Sequence, residues 1–249
     1  SNILALFAAI GFGGVSSWVR ERAARRQFET DKALTEARGR IDELLYSMLP
    51  TEIVKRIQSG ETAIADSHGE VSIIFADLVG FTELARRISP SQLLTILNGL
   101  FSAFDREAER YGIDRIKTIG DAYMAIGGLQ RGESARDHAE NAARFAFAML
   151  ANVRELVEKS GYPINIRIGI HIGPVVSGVI GVKRPAFDCW GEAVNMASRL
   201  ESQAAPGTIL ISESSYWRLK PDFEIFVLDE VDLKGIGMTK VYQLNAVAP

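Results

Sequence analysis

Cysteine occurs once, at Cys189, so no intrachain disulfide can form. A reducing compartment suits such a chain. Histidine occurs three times, at His68, His138 and His171, too scattered for a zinc site built on imidazoles. Neither sign of charge dominates: 28 Lys and Arg stand against 31 Asp and Glu, a net charge of −3. The basic excess of a general nucleic-acid binder is therefore lacking, and no nucleic-acid partner is expected. Internal repeats and low-complexity tracts are also lacking. What the 249 residues do have is 47% hydrophobic and 24% charged side chains, which excludes a disordered composition. The length allows one or two domains with a real core.

Charge is missing altogether from residues 1–19, where Ile3-Leu4-Ala5-Leu6-Phe7-Ala8-Ala9-Ile10 is continuously apolar. Arg20-Glu21-Arg22-Ala23-Ala24-Arg25-Arg26 comes next, four positive charges against one negative. Three readings are open: the cytoplasmic end of a transmembrane segment, a signal-peptide remnant, or a buried hydrophobic helix. The basic collar lies on the wrong side for a signal peptide and on the right side for the positive-inside rule. The expectation is an anchor over 1–19, in a cell membrane, with the remainder of the chain on the cytoplasmic side.

Residues 20–49 contain no proline and one glycine, Gly39. Leu34, Ala37, Ile41, Leu44 and Met48 are spaced 3-4-3-4 before Pro50, an a/d seam suited to a parallel partner helix. A helix packed on its own domain would show the same stripe. The expectation is a juxtamembrane signalling helix or coiled coil over 20–49, a linker over 50–64, and a catalytic domain over 65–249.

In that domain, Val71–Asp77 has the apolar run of a buried strand. Helices are predicted over 81–88 and 90–109, the second with Pro90 near its start. Residues 115–119 and 122–126 flank Gly120-Asp121 as a hairpin. A helix is predicted over 134–159, strands over 165–172 and 175–180, a helix over 191–202, and strands over 208–211, 224–233 and 240–244. The order β-α-β-β-α-β predicts an α+β, ferredoxin-like core preceded by a long N-terminal helix.

Three segments could carry chemistry. In Phe75-Ala76-Asp77-Leu78-Val79-Gly80-Phe81-Thr82 a strand ends in a carboxylate, and a glycine turn leads into a helix. Free N–H groups at such a start can hold phosphate. A neighbouring carboxylate can hold Mg²⁺ against it. In Arg115-Ile116-Lys117-Thr118-Ile119-Gly120-Asp121 a second aspartate sits at a tight turn. An Asp beside a Gly also serves purely local turn geometry. If the two strands are neighbours, Asp77 and Asp121 can converge on an ion pair suited to in-line phosphoryl displacement. The third segment runs over residues 178–199 and contains Phe187-Asp188-Cys189-Trp190-Gly191 and Asn195-Met196-Ala197-Ser198-Arg199. Asn195 and Arg199, four apart, share a helix face, where a plain polar surface pair is the alternative.

Together these motifs resemble the class III nucleotidyl cyclases over roughly residues 40–246, and in particular the membrane-anchored adenylate cyclases of bacterial, mycobacterial type. The third segment is similar to that family's 22-residue signature, with one departure at Ala193, where Val or Ile is usual. The resemblance implies that Asp77 and Asp121 bind two Mg²⁺ or Mn²⁺ ions and that Gly80, Phe81 and Thr82 hold phosphate. It implies that Lys117 and Asp188 read the base. Adenine offers an N6 donor to a carboxylate and an N1 acceptor to an ammonium, so ATP is the expected substrate; guanylate cyclases resemble this site with Glu and Cys instead. Asn195 would orient the ribose and Arg199 would stabilise the transition state, while Arg167 and Lys234 would hold the triphosphate. His171 and Cys189 are read as structural.

The implied reaction is attack of the ribose 3′-oxygen on the α-phosphorus, giving 3′,5′-cyclic AMP and pyrophosphate. In the family, one domain contributes Asp77, Asp121 and Arg167, and the other contributes Lys117, Asp188, Asn195, Arg199 and Lys234. A homodimer through the catalytic domain and the 20–49 helix is thereby implied. A silent nucleotide-binding regulatory domain and a guanylate cyclase are the alternatives.

Overall fold

A computed structural model describes residues 22, 25, 27–42, 45–46, 49–61, 63–129, 134–181 and 185–247. The apolar 1–19 segment, the seam positions Leu44 and Met48, and residues 182–184 of the third motif lie outside them. The chain divides between Glu61 and Thr62 into two compact units. In the first, residues 27–42 form helix α1, and the segment read as a linker carries a second helix, α2 (Thr51–Gln58). Leu34 and Ile41 of the predicted seam are 67% and 58% exposed. No helix among the described residues is long and apolar enough to cross a membrane.

The second unit contains β1 (Ala65–Val79), α3 (Phe81–Ala85), α4 (Pro90–Arg110), β2 (Ile113–Ile119), β3 (Ala122–Gly127) and α5 (Ala135–Ser160). It continues through β4 (Asn165–Ile180), β5 (Ala186–Trp190), α6 (Glu192–Gln203), β6 (Ile209–Ser212), α7 (Glu213–Leu219), β7 (Phe223–Leu233) and β8 (Gly237–Val247). The sheet order is β2-β3-β1-β4-β6-β8-β7, with β5 paired to β4. Its first four strands are mutually antiparallel neighbours, with β3 between β1 and β2 and β1 between β3 and β4. This is the split arrangement of the expected ferredoxin-like α+β core.

Strand alternation sorts residues onto two faces. Ile74, Ala76 and Leu78 of β1 and Ile166, Ile168, Ile170 and Ile172 of β4 join the larger core, with Phe104 of α4 and Phe145 and Met149 of α5. Val71, Ile73 and Phe75 pack on the opposite face with Ala193 and Ala197 of α6. By parity, Asp77, Arg167 and Gly169 belong to this α6 face. Helix ends obey local chemistry: Ser89 caps α4 in a capping box with Gln92, behind Pro90 at the first turn.

Two predicted strands, 165–172 and 175–180, are one continuous strand, β4, which runs through Pro174. Opposite it, β1 bulges: the register passes from His68–Val175 to Val71–Gly173, so Gly69 and Glu70 face Pro174 alone. A bulge is where a ladder tolerates a residue with no N–H to donate. β5 and α7 have no counterpart in the sequence reading. Each is short, at five and seven residues, and α7 starts on a Ser212 side-chain cap.

Candidate active site

Asp77 and Arg167 are cross-strand partners on β1 and β4. The guanidinium donates from Nη2 to Asp77 Oδ2 at 2.8 Å and from Nε to the same oxygen at 3.3 Å. Its Nη1 donates to the Ser202 carbonyl at 3.3 Å. Asp121 stands half-buried in the β2–β3 turn. Burial pushes its carboxyl above the usual carboxylate range, and the negative charge of Asp77 adds to the shift; its own backbone and Arg167 oppose it. Asp77 pairs with Ala122, the residue after Asp121, so the two aspartates lie at the same end of neighbouring strands β1 and β3.

After β1 the chain turns at Gly80, whose φ of +85° is left-handed. A Cβ there would lie 2.7 Å from the Pro163 carbonyl oxygen. The turn is thus open only to glycine, on both conformational and steric grounds. It delivers Phe81, half-buried against the core, and Thr82, exposed, at the start of α3.

Lys117 of β2 and Asp188 of β5 meet within the chain, Nζ donating to Oδ2 at 2.6 Å. The other carboxylate oxygen of Asp188 accepts the Cys189 N–H at 2.8 Å, which fixes its orientation. Cys189 itself is 2% exposed and packs in the smaller core, and burial pushes its thiol up to about 12, as befits a core cysteine. His171 accepts or donates at Nδ1 to Ser212 Oγ at 2.8 Å, and burial lowers its pKa to about 4. It is a neutral structural histidine.

Asn195 is exposed on α6, and Arg199 lies one turn further on. Arg199 Nε is buried without a hydrogen-bond partner, a donor that a bound group can satisfy. Its guanidinium end approaches Gly235 in the β7–β8 turn, next to exposed Lys234. Among the described residues no hydrogen bond or ion pair links the Asp77–Arg167 group to Lys117, Asp188, Asn195, Arg199 or Lys234. The site residues thus fall into two groups on the same chain.

Two carboxylates, one raised by burial and further by the charge of the other, suit Mg²⁺ or Mn²⁺ with phosphate oxygens completing the shell. No cluster of three or more His, Cys, Asp or Glu stands ready for a metal among the described residues. The protein alone therefore offers only part of a coordination sphere, as Mg²⁺–phosphate sites do.

The model of the adenylate and guanylate cyclase catalytic domain matches residues 64–246. The chain belongs to the class III nucleotidyl cyclases. An adenylate cyclase of Mycobacterium tuberculosis is 37% identical to it over 246 residues, 98% of this chain and 54% of that protein. The chain spans about half the length of that curated relative. Among solved structures, the adenylyl cyclase CyaB from P. aeruginosa is 28% identical, covering 73% of this chain and 95% of the other, with a TM-score of 0.70. The guanylate cyclase domain of RhGC from Catenaria anguillulae, in complex with GTP, is 35% identical, covering 74% and 100%, with a TM-score of 0.68.

One residue of this cyclase escaped the sequence reading. Glu201 of α6 is 6% exposed, and its Oε1 lies 2.6 Å from Arg167 Nε. The signal was its phase: an acid four residues after Ala197 and eight after Ala193 falls on the buried stripe of the helix. Burial raises the Glu201 carboxyl, and Arg167 opposes the rise.

Proposed function

We propose that this cyclase domain is an adenylate cyclase, converting ATP to 3′,5′-cyclic AMP and pyrophosphate. The observation that carries the reading is the Lys117–Asp188 pair at 2.6 Å. A carboxylate that accepts from N6 and an ammonium that donates to N1 complement adenine. Guanine's O6 acceptor and N1–H donor meet the same pair with the wrong polarity. The guanylate cyclase reading, raised by the likeness to RhGC, is disfavoured on that ground.

Asp77 and Asp121 would hold two Mg²⁺ or Mn²⁺ ions, which would supply Lewis-acid stabilisation of the attacking and leaving oxygens. Gly80, Phe81 and Thr82 form the phosphate turn. Arg167 and Lys234 neutralise the triphosphate, Asn195 orients the ribose so that its 3′-oxygen faces the α-phosphorus, and Arg199 meets the charge that develops there. Such preorganised donors contribute about 10²–10³ in rate each.

The two groups of residues, unlinked within one chain, support a site completed by a second copy. Asp77, Asp121 and Arg167 of one chain would work with Lys117, Asp188, Asn195, Arg199 and Lys234 of the other. We read α1 and the 20–49 segment as a further dimer contact that relays a signal. Residues 1–19 are read as the end of a membrane anchor, with catalysis on the cytoplasmic side.

The test is a polarity swap. Lys117→Glu with Asp188→Cys is expected to lower kcat/KM for ATP at least about tenfold and to raise it for GTP. A double variant that is folded and still prefers ATP would refute the base-reading role.

A further inference from the structure

Arg167 stands between two carboxylates, Asp77 and Glu201; Glu201 Oε2 accepts from Ser202 Oγ at 3.3 Å, and only its Oε1 is left without an aligned donor. Asp77 Oδ2 receives both Nη2–H and Nε–H. Glu201 Oε1 is buried and lies 2.6 Å from Nε, yet accepts no aligned hydrogen bond. A buried carboxylate oxygen left without a donor is costly, and this one has a donor within reach that is turned toward a competitor. Helix α6 brings it there by close approach. A Cβ on Gly169 of β4 would lie 2.2 Å from Glu201 N and 2.3 Å from Ala197 O, so only glycine lets the helix backbone come this near the sheet. The Ser202 carbonyl, next in sequence, already accepts from Nη1.

We propose that Glu201 is a positioning residue for Arg167: it is the second seat that the guanidinium takes when a divalent cation claims Asp77. The inference rests on the reading of Asp77 as a metal ligand and Arg167 as a phosphate-holding cation. Without nucleotide, Arg167 neutralises Asp77. Once that carboxylate turns to a cation, Nε–H is free to align with Glu201 Oε1. Nη1 stays on Ser202 O, and Nη2, which had been spent on Asp77, is released toward phosphate oxygens. Glu201 thus keeps the guanidinium from following its first partner or swinging into solvent. It also ties this half-site to the helix that carries Asn195 and Arg199. Glu201 lies two residues beyond Arg199, about 200° around the helix, so it grips the sheet while the other two face away.

The test is calorimetric binding of Mn²⁺ plus pyrophosphate to the full chain, with no turnover involved. Glu201→Gln keeps the shape and removes the charge. Affinity is expected to fall about tenfold, and to fall severalfold in Glu201→Asp, which withdraws the carboxylate by one methylene. In an Arg167→Ala background, Glu201→Gln is expected to change nothing further, because its effect passes through the arginine. Thermal unfolding checks that each variant is folded, and Glu201→Asp serves alone should the Gln variant not fold. Wild-type affinity in both Glu201 variants overturns the proposal. So does a Glu201→Gln loss of the same size in the Arg167→Ala background, which would make the residue a general charge or a packing element. If Arg167→Ala itself binds Mn²⁺ and pyrophosphate like wild type, the underlying assignment of Arg167 fails, and the proposal falls with it.

Discussion

Replacing Gly169 by alanine should damage catalysis more than it damages the fold. The new Cβ would sit 2.2 Å from Glu201 N and 2.3 Å from Ala197 O, both backbone atoms that cannot rotate away. Relief requires α6 to retreat by about 1.2 Å to reach an ordinary contact of 3.4 Å. Overpacking of this kind costs about 2 kcal/mol, which for a domain of this size lowers the melting temperature by about 4–8 °C. A stability of about 5–15 kcal/mol absorbs that loss, and the protein stays folded at 25 °C. The same retreat displaces Arg199 and Asn195, however, and a 1 Å misplacement of catalytic groups costs about 10²-fold in rate. The assay is the initial rate of cyclic nucleotide formation at 25 °C, alongside thermal unfolding. Wild-type rates together with an unchanged melting temperature would refute the close α6–β4 contact. Wild-type rates with a lowered melting temperature would refute the link between helix position and catalysis.

Asp77→Ala and Asn195→Ala chains, each inactive alone, should recover about one quarter of wild-type activity when mixed in equal amounts. Random pairing makes half the dimers mixed, and each mixed dimer has one intact site of two; folded, dimeric mutants that fail to complement would contradict shared sites. Stability should fall as pH drops from about 6.5 to about 4. Burial depresses His171 to about 4 in the folded chain, so below 6.5 the unfolded state binds the extra proton; above 6.5 the term vanishes. Its full size is about 3 kcal/mol, and His138, also lowered by burial, acts in the same direction. Denaturant unfolding across that range should show a flatter slope in His171→Asn, and an unchanged slope would contradict the assignment.

The core strands and long helices were legible because their chemistry is local. Val71–Asp77 alternates between two buried faces, Ser89-Pro90 starts a helix, and Gly120 turns a hairpin. The continuity of β4 was not legible. Pro174 reads as a strand end, and only the bulge at Gly69-Glu70 on a partner strand about a hundred residues away makes it admissible. Asp77, Asp121, Lys117 and Asp188 were readable as motif members, but the Lys117–Asp188 contact depends on β5, too short to show a period of its own. Arg167 lies in an ordinary alternating strand. Nothing local marks it, and its partnership with Asp77 comes from register. Glu201 carried a local mark, a charge on an apolar stripe, and the structure gives that mark a reason.

Product analysis with ATP and GTP supplied separately, in Mg²⁺ and in Mn²⁺ and over a range of protein concentrations, tests the central claim most directly. The Lys117–Asp188 polarity predicts cyclic AMP as the product, with kcat/KM for ATP at least about 10²-fold above that for GTP. It also predicts a rate rising faster than linearly with protein while dimers assemble. Cyclic GMP formed with equal or greater efficiency by the wild-type chain would contradict it.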